Sequence, residues 1–519
     1  MERASTWQSY DEGQLQQLEV LCTEYRAFLD RGKTERECVS MVVSMAEAAG
    51  YRNLEQVIRD GESLKAGDKV YAVCMGKAVV LFQIGKKNIE EGMNILGAHI
   101  DSPRLDVKQN PLYEDAGFAY LDTHYYGGVK KYQWVAMPLA IHGVVVRKDG
   151  QTSSVIIGEV DDDPVVGITD LLPHLAAKQM EKKASVVIEG ENLDVLIGSK
   201  PLAGEEKDRV KSNILKLLKE KYHMEEEDFL SAELELVPAG KAREAGLDRS
   251  LIMAYGQDDR ACAFTSLQAM LDTREVEKTA CCILVDKEEI GSTGATGMAS
   301  RFFENTTAEV LDRMGEYSDL KLRRVLAGSN MLSCDVNAAY DPLFADAFEE
   351  KNAAFAGRGM TFSKYTGSKG KFSSNDANAE YIARIRTIMD NAKVHYQFAE
   401  MGKVDRGGGG TIAYILSHFG MQVIDLSLIH IYDLFLSEKR HPYTEGLFGS
   451  IPDIDREERR LHPIDGLMPD PVDLPEGCKF HPRCTRCMEI CRTEKPPQNA
   501  DGTHMIRCHL FSEEKEMIK

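Results

Sequence analysis

Apolar residues recur with helical spacing over residues 14–29 and again after Thr34, where Thr34 and Glu37 form a capping-box pattern, so two amphipathic helices are predicted near the start of the chain. Apolar runs at residues 70–73 and 94–98 predict strands, which places helices beside a sheet. Over residues 136–160 the pattern turns to β. Val144, Val145 and Val146 precede the turn signal Lys148-Asp149-Gly150, and Val155, Ile156 and Ile157 follow it, which reads as a hairpin. Beyond residue 236 helix and strand alternate again: a helix over 261–271, a buried strand over 279–285, a helix from Ser292, a strand over 331–334 and a helix over 375–389. This order predicts an α/β domain interrupted by an inserted β-rich module, and no repeat of fixed period is evident.

A chain of 519 residues exceeds what one core organises, so several domains or one enzyme with insertions is expected. The 63 basic against 83 acidic residues leave a net charge of −20, which argues against nucleic acid or an anionic membrane face as the main partner. An apolar fraction of 43% with 28% charged residues is that of a folded chain. Residues 1–15 carry acidic and polar groups where a secretory signal needs a basic start and an apolar run, so a cytoplasmic address is expected. The most apolar long window, residues 414–436, holds His418, Asp425, His430 and Asp433, which opposes membrane spanning. Composition shifts near the end: nine of the 17 prolines fall between His441 and Pro497. Seven of the 12 cysteines are scattered over the first 334 residues and read as reduced core thiols, whereas Cys478, Cys484, Cys487, Cys491 and Cys508 crowd the tail.

Chemistry concentrates where predicted strands end. His99-Ile100-Asp101 follows the run 94–98, so a strand delivers an imidazole to the sheet edge with a carboxylate two residues on that can orient it. Asp258-Asp259 precedes a predicted helix, Glu288-Glu289 follows the strand 279–285, and Asp335 ends the strand 331–334. Doubly wound sheets bind ligands at the carboxyl ends of their strands, so one imidazole and several carboxylates meeting there would hold a divalent ion, with zinc, manganese or cobalt as candidates. A solvated surface pair is the plainer reading of Glu288-Glu289 alone. The run Gly407-Gly408-Gly409-Gly410 permits close backbone approach to a ligand, or forms a flexible turn.

These segments also carry a family resemblance. Through Gly97-Ala98-His99-Ile100-Asp101-Ser102-Pro103-Arg104, Gln257-Asp258-Asp259-Arg260, Asp286-Lys287-Glu288-Glu289-Ile290-Gly291-Ser292, Ser333-Cys334-Asp335 and Gly407-Gly408-Gly409-Gly410-Thr411, residues 19–426 resemble the aspartyl-aminopeptidase-type cocatalytic zinc aminopeptidases. The resemblance implies a zinc-peptidase-type sheet flanked by helices, with a catalytic domain at 1–106 and 237–426 interrupted by a dimerisation domain at 107–236. It implies a two-zinc aminopeptidase acting on peptides. His99 and Asp335 would hold one zinc, Glu289 would help hold the second, Asp258 would bridge both, Glu288 would be the general base and Asp101 its catalytic companion. Substrate contacts would come from Lys369, Gly408, Gly409 and His174. Lys178 stands where better-known members place a second histidine that reaches a neighbouring subunit, which puts acidic-residue specificity in doubt. A dimer-based homo-oligomer, a dodecamer in the family, is also implied.

The resemblance breaks after Asp425. The family would continue to its last zinc-binding histidine, whereas this chain reads Ser427-Leu428-Ile429-His430-Ile431. Residues 426–431 resemble the translation of a transposon-end adapter used in preparing sequencing libraries, so 427–436 reads as the junction of a chimera. Residues 437–519 resemble the C-terminal extension of ATP-binding subunits of oligopeptide and dipeptide ABC importers, in His441-Pro442-Tyr443-Thr444, Gly466-Leu467-Met468-Pro469 and Cys478-Lys479-Phe480-His481-Pro482-Arg483-Cys484. That resemblance implies a four-cysteine set, Cys478, Cys484, Cys491 and Cys508, for an iron–sulfur cluster or zinc, with reduced thiols an equal alternative. A transporter ATPase would need the phosphate cradle G-x-x-x-x-G-K-[ST], which the sequence lacks. The expectation is therefore a zinc aminopeptidase whose activity is reduced by its altered end. The alternative is a non-catalytic remnant in which His99, Asp258, Glu289 and Asp335 bind a single ion.

Overall fold

Strands that are apolar on both faces build the largest sheet among the described residues. The computed structural model describes residues 5–367, 370–372, 374–430, 476–478, 484, 487–496, 498–501 and 504–507. Nine strands lie in the order Arg52–Asn53, Lys69–Cys74, Ala78–Gln83, Ala280–Val285, Asn94–His99, Asn330–Cys334, Gln422–Ser427, Met360–Ser363 and Tyr396–Phe398. The central four, from Ala280–Val285 to Gln422–Ser427, run parallel to one another. Their register sets Val285 beside His99, Ser333 beside Gly97 and Asp425 beside Ser333, so their carboxyl ends form one edge.

Side chains alternate across this sheet, and each face is covered. On one face Val79, Leu81, Ala98, Cys282 and Leu284 meet Phe28 of helix Glu12–Arg31, Val39 and Val42 of helix Glu35–Ala48, and Phe264 and Leu267 of helix Gln257–Asp272. On the other, Val80, Phe82, Ile95, Ile283 and Met331 meet Phe303 and Val310 of helix Phe302–Arg313 and Val325 and Leu326 of helix Asp319–Ala327. The expected capping box is present: the Thr34 hydroxyl accepts from the Glu37 N–H while the Glu37 carboxylate accepts from the Thr34 N–H.

Between Asn94–His99 and Ala280–Val285 the chain builds a second, antiparallel sheet of six strands. Their order is Thr152–Ile157, Leu139–Val146, Ala232–Pro238, Arg104–Asp115, Phe118–Tyr126 and Val195–Gly198. The hairpin read from the valine runs is the pair Leu139–Val146 and Thr152–Ile157. Leu105, Leu121, Leu139, Val145, Leu193 and Leu236 form its core, against which Ile214, Leu218 and Tyr222 of helix Arg209–Tyr222 pack.

Two expectations shift. The helix expected from Ser292 starts only at Phe302. Gly291, Ser292 and Gly294 hold φ of +90°, +59° and +125°, and a Cβ on Gly297 would lie 2.2 Å from the Ser292 carbonyl oxygen, so this glycine-rich stretch folds into tight turns that a helix cannot contain. The helix expected over 375–389 runs Ala379–Asn391. The apolar window divides into the short helix Ala413–Ser417 and the strand Gln422–Ser427, and among the described residues no helix is long and apolar enough to cross a membrane.

Backbone contacts group Met1–Arg243 with Ile252–Tyr432, and Glu244–Leu251 with Asp433–Lys519. The described parts of the second unit include helix Ile490–Thr493 and the antiparallel pair Gln498–Asp501 and His504–Arg507. Within it the Cys478 N–H donates to the Cys491 carbonyl at 2.8 Å, and no disulfide links the described cysteines. Cys484 is described, whereas Cys508 lies outside the described residues.

Candidate metal centre

Four elements deliver the predicted site residues to the carboxyl edge of the parallel strands. His99 ends its own strand, Asp335 follows Asn330–Cys334, and Glu288 and Glu289 sit in the turn after Ala280–Val285. Asp258 stands at the entrance to helix Gln257–Asp272, where Asp258 and Asp259 depart from helical φ/ψ before the regular turns begin. His99 Nε2 lies 3.3 Å from Asp258 Oδ1, 3.8 Å from Asp335 Oδ1 and 4.0 Å from Glu288 Oε2. His99, Asp258 and Asp335 each offer a donor atom within 4.8 Å of the others, the spacing needed for a shared cation.

Asp101 organises this cluster from behind. It is 0% exposed, and His99 is 2% exposed. The His99 Nδ1 faces only acceptors, the Asp101 backbone carbonyl at 3.0 Å and Asp101 Oδ1 at 3.2 Å, so a proton on Nδ1 leaves the Nε2 lone pair directed at the acids. The same carboxylate accepts the backbone N–H of Glu288 on Oδ1 and that of Glu289 on Oδ2, both at 3.1 Å. The Ser102 hydroxyl, from the same turn, donates to the Asp258 carbonyl at 2.6 Å.

Electrostatics mark the cluster as short of positive charge. Burial, together with Asp335, Asp101 and Asp258, pushes Glu288 up to about 7, with His99 opposing. Burial, Asp258, Asp101 and Glu288 push Glu289 up to about 8, again against His99. Asp335 is raised by burial and by Asp258. Burial alone would lower His99, but hydrogen bonding to Asp101, Asp258 and Asp335 raises it well above the ordinary imidazole value. Acids crowded at one buried edge around a preoriented imidazole are the donor set that suits a zinc ion.

Next to the centre lies a cavity of about 210 Å³ lined by Asp335, Gly408, Gly409, Tyr365, Asp425 and Thr411, among others. Gly408 and Gly409 therefore line the same cavity as Asp335. His174 is exposed on the inserted sheet's loop, outside both the cluster and the cavity lining, and Lys369 lies outside the described residues. Beside the centre, one buried acid was read only as half of a pair, and two contacts escaped sequence reasoning. Asp259 is fully buried with neither carboxylate oxygen hydrogen-bonded, Asp425 accepts the Thr411 hydroxyl at 2.6 Å, and Tyr126 donates to Asp101 Oδ2 at 2.8 Å. Asp259 was read only together with its neighbour Asp258; the two contacts join residues with no shared local pattern.

Residues 28–431 match the family model described as aminopeptidase I zinc metalloprotease (M18). Residues 431–491 match a second model, the C-terminal region of oligopeptide/dipeptide transporters. A probable M18 family aminopeptidase 1 of Clostridium acetobutylicum is 59% identical over 425 residues, spanning 82% of this chain and 91% of that protein. Among solved structures, aminopeptidase I from Clostridium acetobutylicum superposes with a TM-score of 0.78 at 56% identity, covering 83% of this chain and 94% of that one. An M18 aminopeptidase from Thermotoga maritima gives a TM-score of 0.78 at 44% identity, over 82% and 93% of the respective chains. With the imidazole and acids gathered at the sheet edge, these matches establish that the chain belongs to the M18 aminopeptidase family of zinc metalloproteases.

Proposed function

We propose that this chain removes the N-terminal residue of peptides through a two-metal centre in which His99 and Asp335 hold one zinc, Glu289 helps hold the second and Asp258 bridges them. The observation that carries the reading is the placement of His99, Asp258 and Asp335 donor atoms within 4.8 Å of one another with the Glu288 carboxylate 4.0 Å from the same imidazole nitrogen. Zinc bound there supplies Lewis acidity to a water and to the scissile carbonyl. Glu288 takes the proton of the attacking water and returns it to the leaving amine nitrogen. Asp101 keeps His99 in the ligating tautomer and holds the Glu288 and Glu289 backbone in place. Gly408 and Gly409 let the peptide pass close to the main chain beside Asp335. Lys369 and His174 are the further substrate contacts of this reading. The inserted sheet is the surface through which copies dimerise, consistent with exposed Leu171, Leu172, Leu175 and Met180 along one of its loops.

The test is zinc content measured beside release of N-terminal residues, with chelation and zinc restoration. About two zincs per chain with turnover that chelator abolishes and zinc restores supports the reading. A second reading is favoured by the change of family match at residue 431: a remnant with one zinc and no turnover, for which the same experiment gives one zinc and no release. Metal bound by the tail cysteines would appear as metal retained after His99 and Asp335 are both replaced.

A further inference from the structure

We propose that Tyr126, the last residue of the inserted-sheet strand Phe118–Tyr126, is a positioning residue for the hydrolysis: its hydroxyl fixes Asp101, which in turn fixes His99 and the backbone of Glu288 and Glu289. The inference rests on the aminopeptidase reading and adds to it a residue from outside the catalytic sheet.

The geometry forms a chain of direct contacts. The Tyr126 hydroxyl donates to Asp101 Oδ2 at 2.8 Å, the same oxygen that accepts the Glu289 N–H at 3.1 Å. Asp101 Oδ1 accepts the Glu288 N–H at 3.1 Å and lies 3.2 Å from His99 Nδ1. Both Tyr126 and Asp101 are buried, so the bond is sheltered from competing water. Two freedoms remain to an aspartate so placed, rotation about its side-chain bonds and displacement of its turn; a second donor on Oδ2 opposes the first.

Tyr126 is itself anchored. Its Cα pairs with that of Arg104 across the two strands, and the Arg104 guanidinium sits 3.8 Å from the Tyr126 ring centroid. That guanidinium is in turn held by Glu35 at 2.5 Å, Asp106 at 2.8 Å and Glu235 at 3.2 Å, so the ring packs on a cation that is itself fixed in place, and swinging away would forfeit that contact.

The next residue supplies an independent observation. Gly127 has φ of +73°, and a Cβ placed on it would lie 3.2 Å from Glu289 Cβ and 3.5 Å from both Glu289 Oε2 and the Pro103 Cα. The corner Tyr126-Gly127 therefore leaves little room for a side chain between it and Glu289, while the tyrosine hydroxyl binds Asp101. The inserted sheet thus meets the Glu289 turn and Asp101 at this one corner.

Tyr126→Phe removes the hydroxyl and keeps the ring over Arg104, so it isolates the bond. Partners behind metal ligands typically contribute about ten- to hundredfold to metal affinity or activity. The full chain carrying Tyr126→Phe is expected to lose about tenfold or more in kcat with KM within about twofold, and to bind zinc about tenfold more weakly in competition with a chromogenic chelator. Activity is normalised to the folded fraction from circular dichroism. Unchanged kcat and unchanged zinc affinity would overturn the proposal, as would a fall in activity fully accounted for by unfolded protein. Should the wild-type chain release no N-terminal residues, the aminopeptidase reading fails separately, and zinc affinity alone decides the role of Tyr126.

Discussion

Replacing His142 with alanine is expected to weaken the docking of the inserted sheet on the first helical layer. His142 lies on strand Leu139–Val146 and is 2% exposed. Its Nδ1 is 2.9 Å from Glu37 Oε1, on helix Glu35–Ala48, and its Nε2 is 3.0 Å from Glu159 Oε1. The carboxylates are themselves only 19% and 14% exposed. Burial disfavours the imidazolium, but hydrogen bonds to Glu159 and Glu37 outweigh it and raise the pKa above the ordinary imidazole value. Each charge-assisted bond is worth about 1.5–3 kcal/mol, and stripping the partner from a buried ion costs about 3–5 kcal/mol. Glu37 keeps the Lys33 and Thr34 N–H groups on its other oxygen, at 2.9 and 3.0 Å, which places the expected loss near the lower end, about 3 kcal/mol.

The sign of the pH dependence follows from the raised pKa. Below the unfolded value of about 6.5 both states carry the proton and the folded state has the whole benefit of the two ion pairs. As pH climbs through the raised folded value the proton leaves and that benefit is lost. Calorimetric unfolding of wild type and His142→Ala from pH 6 to pH 9 should show a gap that is widest at the acid end and narrows with rising pH. Comparing the two chains cancels the titration of Glu288 and Glu289, which both contain. A gap below about 1 kcal/mol, or one that stays constant across this range, would refute the reasoning.

Three further outcomes are expected. Glu288→Gln removes the proton acceptor while leaving the His99, Asp258 and Asp335 donors in place, so it should lower kcat by about 10²–10⁴-fold with zinc content retained, checked by turnover beside elemental analysis. Phe303→Ala opens a cavity in the buried layer between helix Phe302–Arg313 and the sheet, and urea unfolding should report a loss of about 3–5 kcal/mol. Gly143→Ala would force a Cβ to within 1.9 Å of the Glu233 carbonyl oxygen at φ of +145°, so Leu139–Val146 could not keep its pairing with Ala232–Pro238; the variant should show markedly faster hydrogen exchange in those two strands.

What could be read from the chain follows the range of the interactions involved. Val144 to Val146 and Val155 to Ile157 flank a turn signal, and the hairpin they announce is local. The runs 94–98 and 279–285 became neighbouring parallel strands because both of their faces are covered, so their apolar residues are nearly continuous. Strands Arg104–Asp115 and Phe118–Tyr126 went unread although Ala119, Leu121 and Thr123 alternate after the turn residues Ala116 and Gly117; charged and aromatic neighbours masked the period. The turns after Gly291 were mistaken for a helix because three positive φ angles decide the conformation there, not the polarity pattern. At the centre, His99, Glu288, Glu289 and Asp335 could be placed at strand ends and Asp258 before a helix, and family resemblance joined them into one site. Tyr126 could not be found that way: it belongs to the other sheet, and its meaning is a hydrogen bond between folded layers.

The central claim is that zinc is held between His99, Asp258 and Asp335, and anomalous diffraction at the zinc edge from crystals of the full chain tests it most directly. The expected result is an anomalous peak about 2.0–2.2 Å from His99 Nε2 and from carboxylate oxygens of Asp258 and Asp335. A chain whose zinc lies only elsewhere, such as among the tail cysteines, while this triad holds none would contradict the account.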